Sequence, residues 1–275
     1  MTELPATGHI RLETQGPVLR IWLNRPELRN AMSAQMVREM LATFAAIRDD
    51  RGVRVVVLRG AGGTFCAGAD LKHLAAAESP LPANQPPADE LEQSNRRYGL
   101  MMETVNSAPQ AVIAAVEGYA MGGGFGLACV ADITLATEDA RFAMTEVTLG
   151  LVPAAISPFV VRRIGLTAAR RFGVSGARLT GAQACEIGIA HVAVPDAAAL
   201  DAAVRDAINQ ILQCAPEAVA ETKRLMLRAA GPAPLTELLD QAAKSFAHAV
   251  RGAEGREGTK ALVEKRKPAW AVRIE

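Results

Sequence analysis

Three consecutive glycines stand at 122–124 inside VEGYAMGGGFG (116–126), between the apolar runs Ala111–Val116 and Leu127–Ala131. Glycine has the most backbone freedom to lose on folding, at roughly 0.5–1 kcal/mol against alanine in a regular element. A run of them between a strand-like and a helix-like segment therefore needs a reason. One reason is a close approach of two backbones. The other is chemical: bare N–H groups at a helix start, aimed at one point, stabilise a developing oxyanion.

The rest of the chain narrows the setting. It has 275 residues, half of them apolar, enough for a sizeable core and one subsidiary element. The net charge is +1 with both signs interspersed, which offers no electrostatic footprint for nucleic acid and no basic stripe for a membrane surface. Cys66, Cys129, Cys185 and Cys214 are far apart and histidine is sparse, so free thiols in a reducing compartment and no metal site are expected. The first residues lack a basic segment followed by an apolar one, and the stretch 111–131 is broken by Glu117 and glycines. Neither a signal peptide nor a membrane span is expected, and the location expected is cytoplasmic.

In chain order, Ile10–Leu12 and Val18–Leu23 read as a hairpin around a Gly-Pro. Ser33 is placed to cap a helix whose apolar face is Met36, Val37, Met40, Leu41, Phe44 and Ile47. The apolar run 55–58 and Ala111–Val116 have the continuous apolar character of strands covered on both faces. Thr64–Lys72 reads as a loop entering a helix, and residues 79–88, with four prolines, as a loop. Helix periodicity resumes over Glu90–Val105, and short strands are expected at Asp132–Ala136, Arg141–Met144 and His191–Val194. Thr145–Ala155 is read as a loop, Pro158–Ile164 as a helix, and Thr180 as the cap of another ending near Ile189. From Asp196 only helices follow. The expectation is an α/β core over 1–195 and a helical domain over 196–275.

Three segments, FCAGADLK (65–72), EGYAMGGGFGLACVADI (117–133) and FAMTEVTLGLVPAAISPFVVRRIG (142–165), occur in this order and spacing. Together they resemble the enoyl-CoA hydratase/isomerase (crotonase) superfamily, and the likeness runs from LNRPELRNAMS (23–33) to EKRKPAW (264–270). Within it, PAAISPFVVRRIG and GREGTKALVEKRKPAW are most similar to the branched glutaconyl-CoA hydratases, of the methylglutaconyl-CoA and isohexenylglutaconyl-CoA types. The resemblance implies a spiral of ββα turns, a helical C-terminal trimerisation domain, and assembly as a homotrimer or dimer of trimers. It implies an acyl-CoA thioester as partner, with coenzyme A entering as part of the substrate and no separate cofactor.

Carried over by position, the resemblance makes the N–H groups of Ala69 and Gly123 the oxyanion hole. Gly122 lies beside them, and Ala67, Asp70, Leu71 and Lys72 lie along the CoA moiety. Lys72 and Arg25 stand near its phosphates, unless they are solvated surface charges, and Asp70 alternatively orients its helix start. Glu146 is the proton-transferring group. Apolar neighbours (Phe142, Met144, Val147, Leu149) are expected to raise its pKa.

One position departs from the family's best-known pattern, which has a second glutamate directly after the glycine run; Gly126 stands there. Three readings follow. Glu146 alone serves a hydratase whose acidic substrate would be repelled by a carboxylate at 126, where glycine leaves room and no charge. Alternatively it shuttles a proton between α and γ carbons as in a Δ3,Δ2-enoyl-CoA isomerase, or the scaffold is an inactive acyl-CoA-binding homologue. Dinucleotide binding fits poorly, because Leu127 stands where G-x-G-x-x-G ends, and no G-x-S-x-G elbow is present.

Overall fold

The computed structural model describes residues 2–70 and 90–275. Leu71, Lys72 and the proline-rich stretch 79–88 lie outside the described residues.

The main sheet is built from β1 (Ile10–Gln15), β2 (Val18–Leu23), β3 (Val55–Gly60), β4 (Ala111–Val116), β6 (Ile133–Thr137) and β9 (Val192–Val194), side by side in that order. Only β1 and β2 pair antiparallel; every later neighbour is parallel. Parallel strands need both faces covered, and the side-chain alternation shows how. Val56, Leu58, Val112, Ala114 and Val116 enter one apolar cluster; Val55, Val57, Ile113 and Ala115 enter another. The first cluster is closed by α1 (Ala34–Ile47), α2 (Glu90–Asn106) and α3 (Gly123–Val130). The second is closed by α6 (Ala197–Ile211) through Leu200, Val204, Ala207 and Ile208. The first helix beyond Asp196 thus takes part in the packing of the sheet.

Ser33 caps α1 as expected, its hydroxyl accepting from Met36 N–H at 3.1 Å. Met36, Val37, Met40, Phe44 and Ile47 are buried, while Leu41 packs at the margin. The expected helix at Pro158 is longer, α4 (Ser157–Ser175), and bends at Gly165, whose φ of 73° and ψ of 162° interrupt it. Thr180 heads α5 (Gly181–Glu186) with a reciprocal cap, exchanging hydrogen bonds with Gln183. A second small sheet, in the order β5 (Tyr119–Met121), β7 (Arg141–Ala143), β8 (Arg178–Thr180), carries the site.

The tail continues as α7 (Pro216–Ala229), α8 (Leu235–Arg251) and α9 (Ala253–Val263). It is fastened by charge to backbone. Arg54 donates to the carbonyls of Trp270 at 2.6 Å, Leu212 at 3.0 Å and Cys214 at 2.6 Å. Lys223 on α7 meets Asp132 at 2.7 Å, and that carboxylate also accepts from Val112 N–H.

The His191 ring is held neutral by its neighbours. Nδ1 accepts from Thr134 N–H at 2.9 Å, with the Arg163 guanidinium 3.4 Å away and Asp132 in the same neighbourhood. Burial, then Arg163, pushes its pKa below the ordinary 6.5. A histidine with a depressed folded pKa contributes stability above its unfolded value, lost as pH falls through the folded one. Acidifying from pH 7 towards 5 should therefore lower the melting temperature more in the parent than in His191→Gln. Parallel pH profiles would clear His191 of this role.

Candidate active site

The small sheet brings two distant segments together. Cys66 N–H donates to Tyr119 C=O at 2.7 Å and Met121 N–H to Cys66 C=O at 2.9 Å, so residues 65–68 run alongside β5. On the other side β5 pairs parallel with β7, and Gly122 N–H donates to Ala143 C=O at 2.8 Å. Three residues past β7 comes Glu146, at the start of a 3₁₀ turn over Glu146–Leu149. The glycine run, residues 67–70 and Glu146 therefore converge by backbone pairing alone.

Each glycine of the run answers a different neighbour. Gly122 has φ 49°, ψ −113°, and a Cβ there would sit 2.8 Å from Glu146 Oε1. At Gly123 a Cβ would lie 2.5 Å from the Tyr98 hydroxyl, and at Gly124 2.6 Å from Cys66 C=O. The first reason for a glycine run holds at Gly124, which permits the close approach of two backbone segments, while Gly122 and Gly123 stand against Glu146 and Tyr98.

Gly123 is the first residue of α3, so its N–H has no acceptor within the helix. Ala69 sits in an isolated parallel bridge with Met32, in which Met32 N–H donates to Gly68 C=O and Asp70 N–H to Met32 C=O. That pattern uses the Gly68 C=O and the Asp70 N–H and leaves the Ala69 N–H without an acceptor among the described residues. Both donors border a cavity of about 900 Å³, lined also by Gly122, Tyr98, Glu146 and Ile156.

Glu146 is a perturbed carboxyl group on this cavity. Burial raises its pKa above the ordinary 4.5, and its buried Oε2 has no hydrogen-bond partner among the described residues. A carboxylate so placed is a strong acceptor of a proton and gives one back readily.

The comparisons agree with this geometry. Residues 13–273 match the family model described as Enoyl-CoA hydratase/isomerase. Among solved structures, Pseudomonas aeruginosa AtuE superposes with a TM-score of 0.91 and 49% identity, over 96% of this chain and 100% of that one. An enoyl-CoA hydratase/isomerase from Marinobacter aquaeolei gives 0.91 and 48%, over 96% and 99%. The carnitinyl-CoA dehydratase of Proteus mirabilis is 34% identical over 270 residues, 96% of this chain and 98% of that protein. The chain belongs to the enoyl-CoA hydratase/isomerase family.

It shares the crotonase fold of these relatives, with mixed α/β content, a central parallel sheet and a helical C-terminal part. Against that fold several expected site residues take different places. Ala69 pairs with Met32 in an isolated parallel bridge, and the helix expected to follow it lies outside the described residues. Arg25 is not an open cation. Its guanidinium donates to Ala31 C=O at 2.7 Å and Asp70 at 2.9 Å, closing the 25–31 turn onto the site loop. Asp70 is thereby an ion-pair partner of Arg25 and, with Ala67, one of the residues that line the cavity.

Gly126 does not leave room. A Cβ there would lie 2.3 Å from Ile156 Cγ2 and 3.4 Å from Met102 Cε, so an isoleucine side chain fills the space next to it. Of the apolar neighbours expected around Glu146, Phe142 and Met144 are buried, but Val147 and Leu149 are exposed. Sequence reasoning missed Ile156 and Tyr98 as neighbours of the site. The helical spacing of Leu91, Ser94, Asn95 and Tyr98 in α2 was the available signal for Tyr98.

Proposed function

We propose that this enzyme adds water across the α,β double bond of an enoyl-CoA whose acyl group is branched and carries a second carboxylate. The observation that carries the reading is the buried, unpartnered Oε2 of Glu146 on the same cavity as the Ala69 and Gly123 N–H donors. Glu146 takes a proton from water, and the hydroxide oxygen bonds to the β carbon. The electron pair of the double bond moves to the thioester oxygen, where the two N–H groups hold it. Glu146 then returns its proton at the α carbon as the carbonyl re-forms.

Two cations support an acidic acyl group. Arg96 and Arg97 of α2 line the cavity, and neither has an acidic partner among the described residues. Replacing both by glutamine should raise KM for an acidic enoyl-CoA by at least about tenfold, the worth of a charge-assisted hydrogen bond, and leave crotonyl-CoA nearly unchanged. Equal losses on both substrates would end the charge assignment.

Glu146, with no second glutamate at position 126, also suits a Δ3,Δ2-isomerase, which moves one proton between α and γ carbons. Mass spectrometry of the product from a branched glutaconyl-CoA separates the readings. A gain of one water supports the hydratase, whereas an unchanged mass with a displaced double bond makes it an isomerase. Self-association through the tail, as a trimer or dimer of trimers, is supported by the exposed stripe Leu235, Leu239, Phe246 and Val250 on α8. A monomer in sedimentation at micromolar concentration would overturn it.

A further inference from the structure

Tyr98 projects from α2 onto the first residue of α3, and its contacts there are specific. Its hydroxyl donates to Gly123 C=O at 2.7 Å. Its Oη and Cζ lie 2.5 and 3.0 Å from where a Cβ on Gly123 would stand, so the ring and hydroxyl rest against the Cα of that residue. The residue gripped in this way is the one whose N–H borders the cavity beside Glu146.

We propose that Tyr98 is a positioning residue of the oxyanion hole, its hydroxyl and ring fixing Gly123 so that the Gly123 N–H is aimed at the thioester oxygen. The proposal rests on the assignment of Ala69 and Gly123 as the oxyanion donors, and it holds for a hydratase and an isomerase alike.

Three physical points carry it. A donor contributes to catalysis only when it is already aligned as charge develops, and a glycine-rich helix start has little intrinsic stiffness to keep it so. The constraints on Gly123 come from its two sides: Gly122 N–H is tied to Ala143, and Gly123 C=O is tied to Tyr98. Finally, the phenol proton stays on the ring. Burial, then the nearby Cys66 and Glu146, holds the Tyr98 pKa well above its ordinary 10.0, so it donates at every working pH. Because Leu91, Ser94 and Asn95 of the same helix also line the cavity, one rigid element carries both the clamp and part of the cavity wall.

The test reads the thioester carbonyl directly, by its infrared stretch in a 2-enoyl-CoA bound to Glu146→Gln, where turnover does not consume the ligand. Adding Tyr98→Phe should return the stretch towards its value in solution. In the otherwise native enzyme, Tyr98→Phe should lower kcat about tenfold with KM within about twofold, as expected for loss of one aligned hydrogen bond. A second arm uses the contact with Gly123: Gly123→Ala should be severe with Tyr98 present and mild in a Tyr98→Ala background, where the Cβ has space. An unchanged stretch in Tyr98→Phe, or additive losses in the double variant, would overturn the clamp. A parent complex whose carbonyl shows no shift at all would instead overturn the oxyanion assignment beneath it.

Discussion

Glu146→Gln is expected to lower kcat by about 10²–10⁴-fold, the usual contribution of a positioned general base, while a CoA-thioester column still retains the variant. Glutamine keeps the shape of the side chain and removes only its capacity to take and return a proton. Its stability should move in the opposite direction. The folded pKa of Glu146 is raised by burial above 4.5. For a group raised in this way, the stabilising contribution is present below the unfolded pKa and lost as pH rises through the folded one. At neutral pH, above the unfolded pKa, that contribution is lost and the carboxyl group carries the cost of having been partly stripped of water on folding. The neutral glutamine variant should melt higher than the parent at pH 7, with the difference closing towards pH 4. The raised pKa also predicts an acid limb of kcat/KM above 4.5. Normal turnover in the variant would remove Glu146 from the mechanism, and a lower melting temperature at pH 7 would contradict its desolvation.

The parts of this molecule legible in the sequence are those dictated by local chemistry. Ser33 and Thr180 announce their helices because a hydroxyl at an N-cap satisfies a donor whatever lies further away. The main strands are equally plain, since 55–58 and Ala111–Val116 are apolar on both faces. β5 and β8 are three residues each and owe their existence to pairing with β7, which a local pattern does not contain. The site divides in the same way. Glu146 and the glycine run stand out as residue types, but what Gly126 does depends on Ile156, thirty residues away in sequence. A glycine read as open space turns out to be the complement of a branched side chain. Arg25 is the same lesson with charge: its ion-pair partner is Asp70, 45 positions on.

Gly122→Ala should lower kcat by about 10²-fold or more, for a reason that the two groups on either side make specific. The residue has φ 49° and ψ −113°, outside the regions that an L side chain occupies comfortably. Alanine there would therefore have to rotate the peptide that carries the Gly123 N–H. Its methyl would also stand 2.8 Å from Glu146 Oε1 and 3.4 Å from Cδ, so the carboxylate would have to withdraw. One substitution thus displaces both the Gly123 N–H proposed as oxyanion donor and the Glu146 carboxyl group proposed as base. Misplacement of reacting groups by about 1 Å is enough for a 10²-fold loss. The fold itself should survive, because the nearest atoms that the added methyl meets all belong to the Glu146 carboxyl group and not to the β5–β7 pairing. Gly150→Ala is the fitting control: it shares the positive φ, at 71°, but a Cβ there meets nothing within 4 Å. Loss of turnover in Gly122→Ala with an unchanged circular dichroism spectrum, and near-native turnover in Gly150→Ala, would separate the effect from that of an alanine at any positive φ. Equal losses in the two variants would mean that strain alone accounts for the effect.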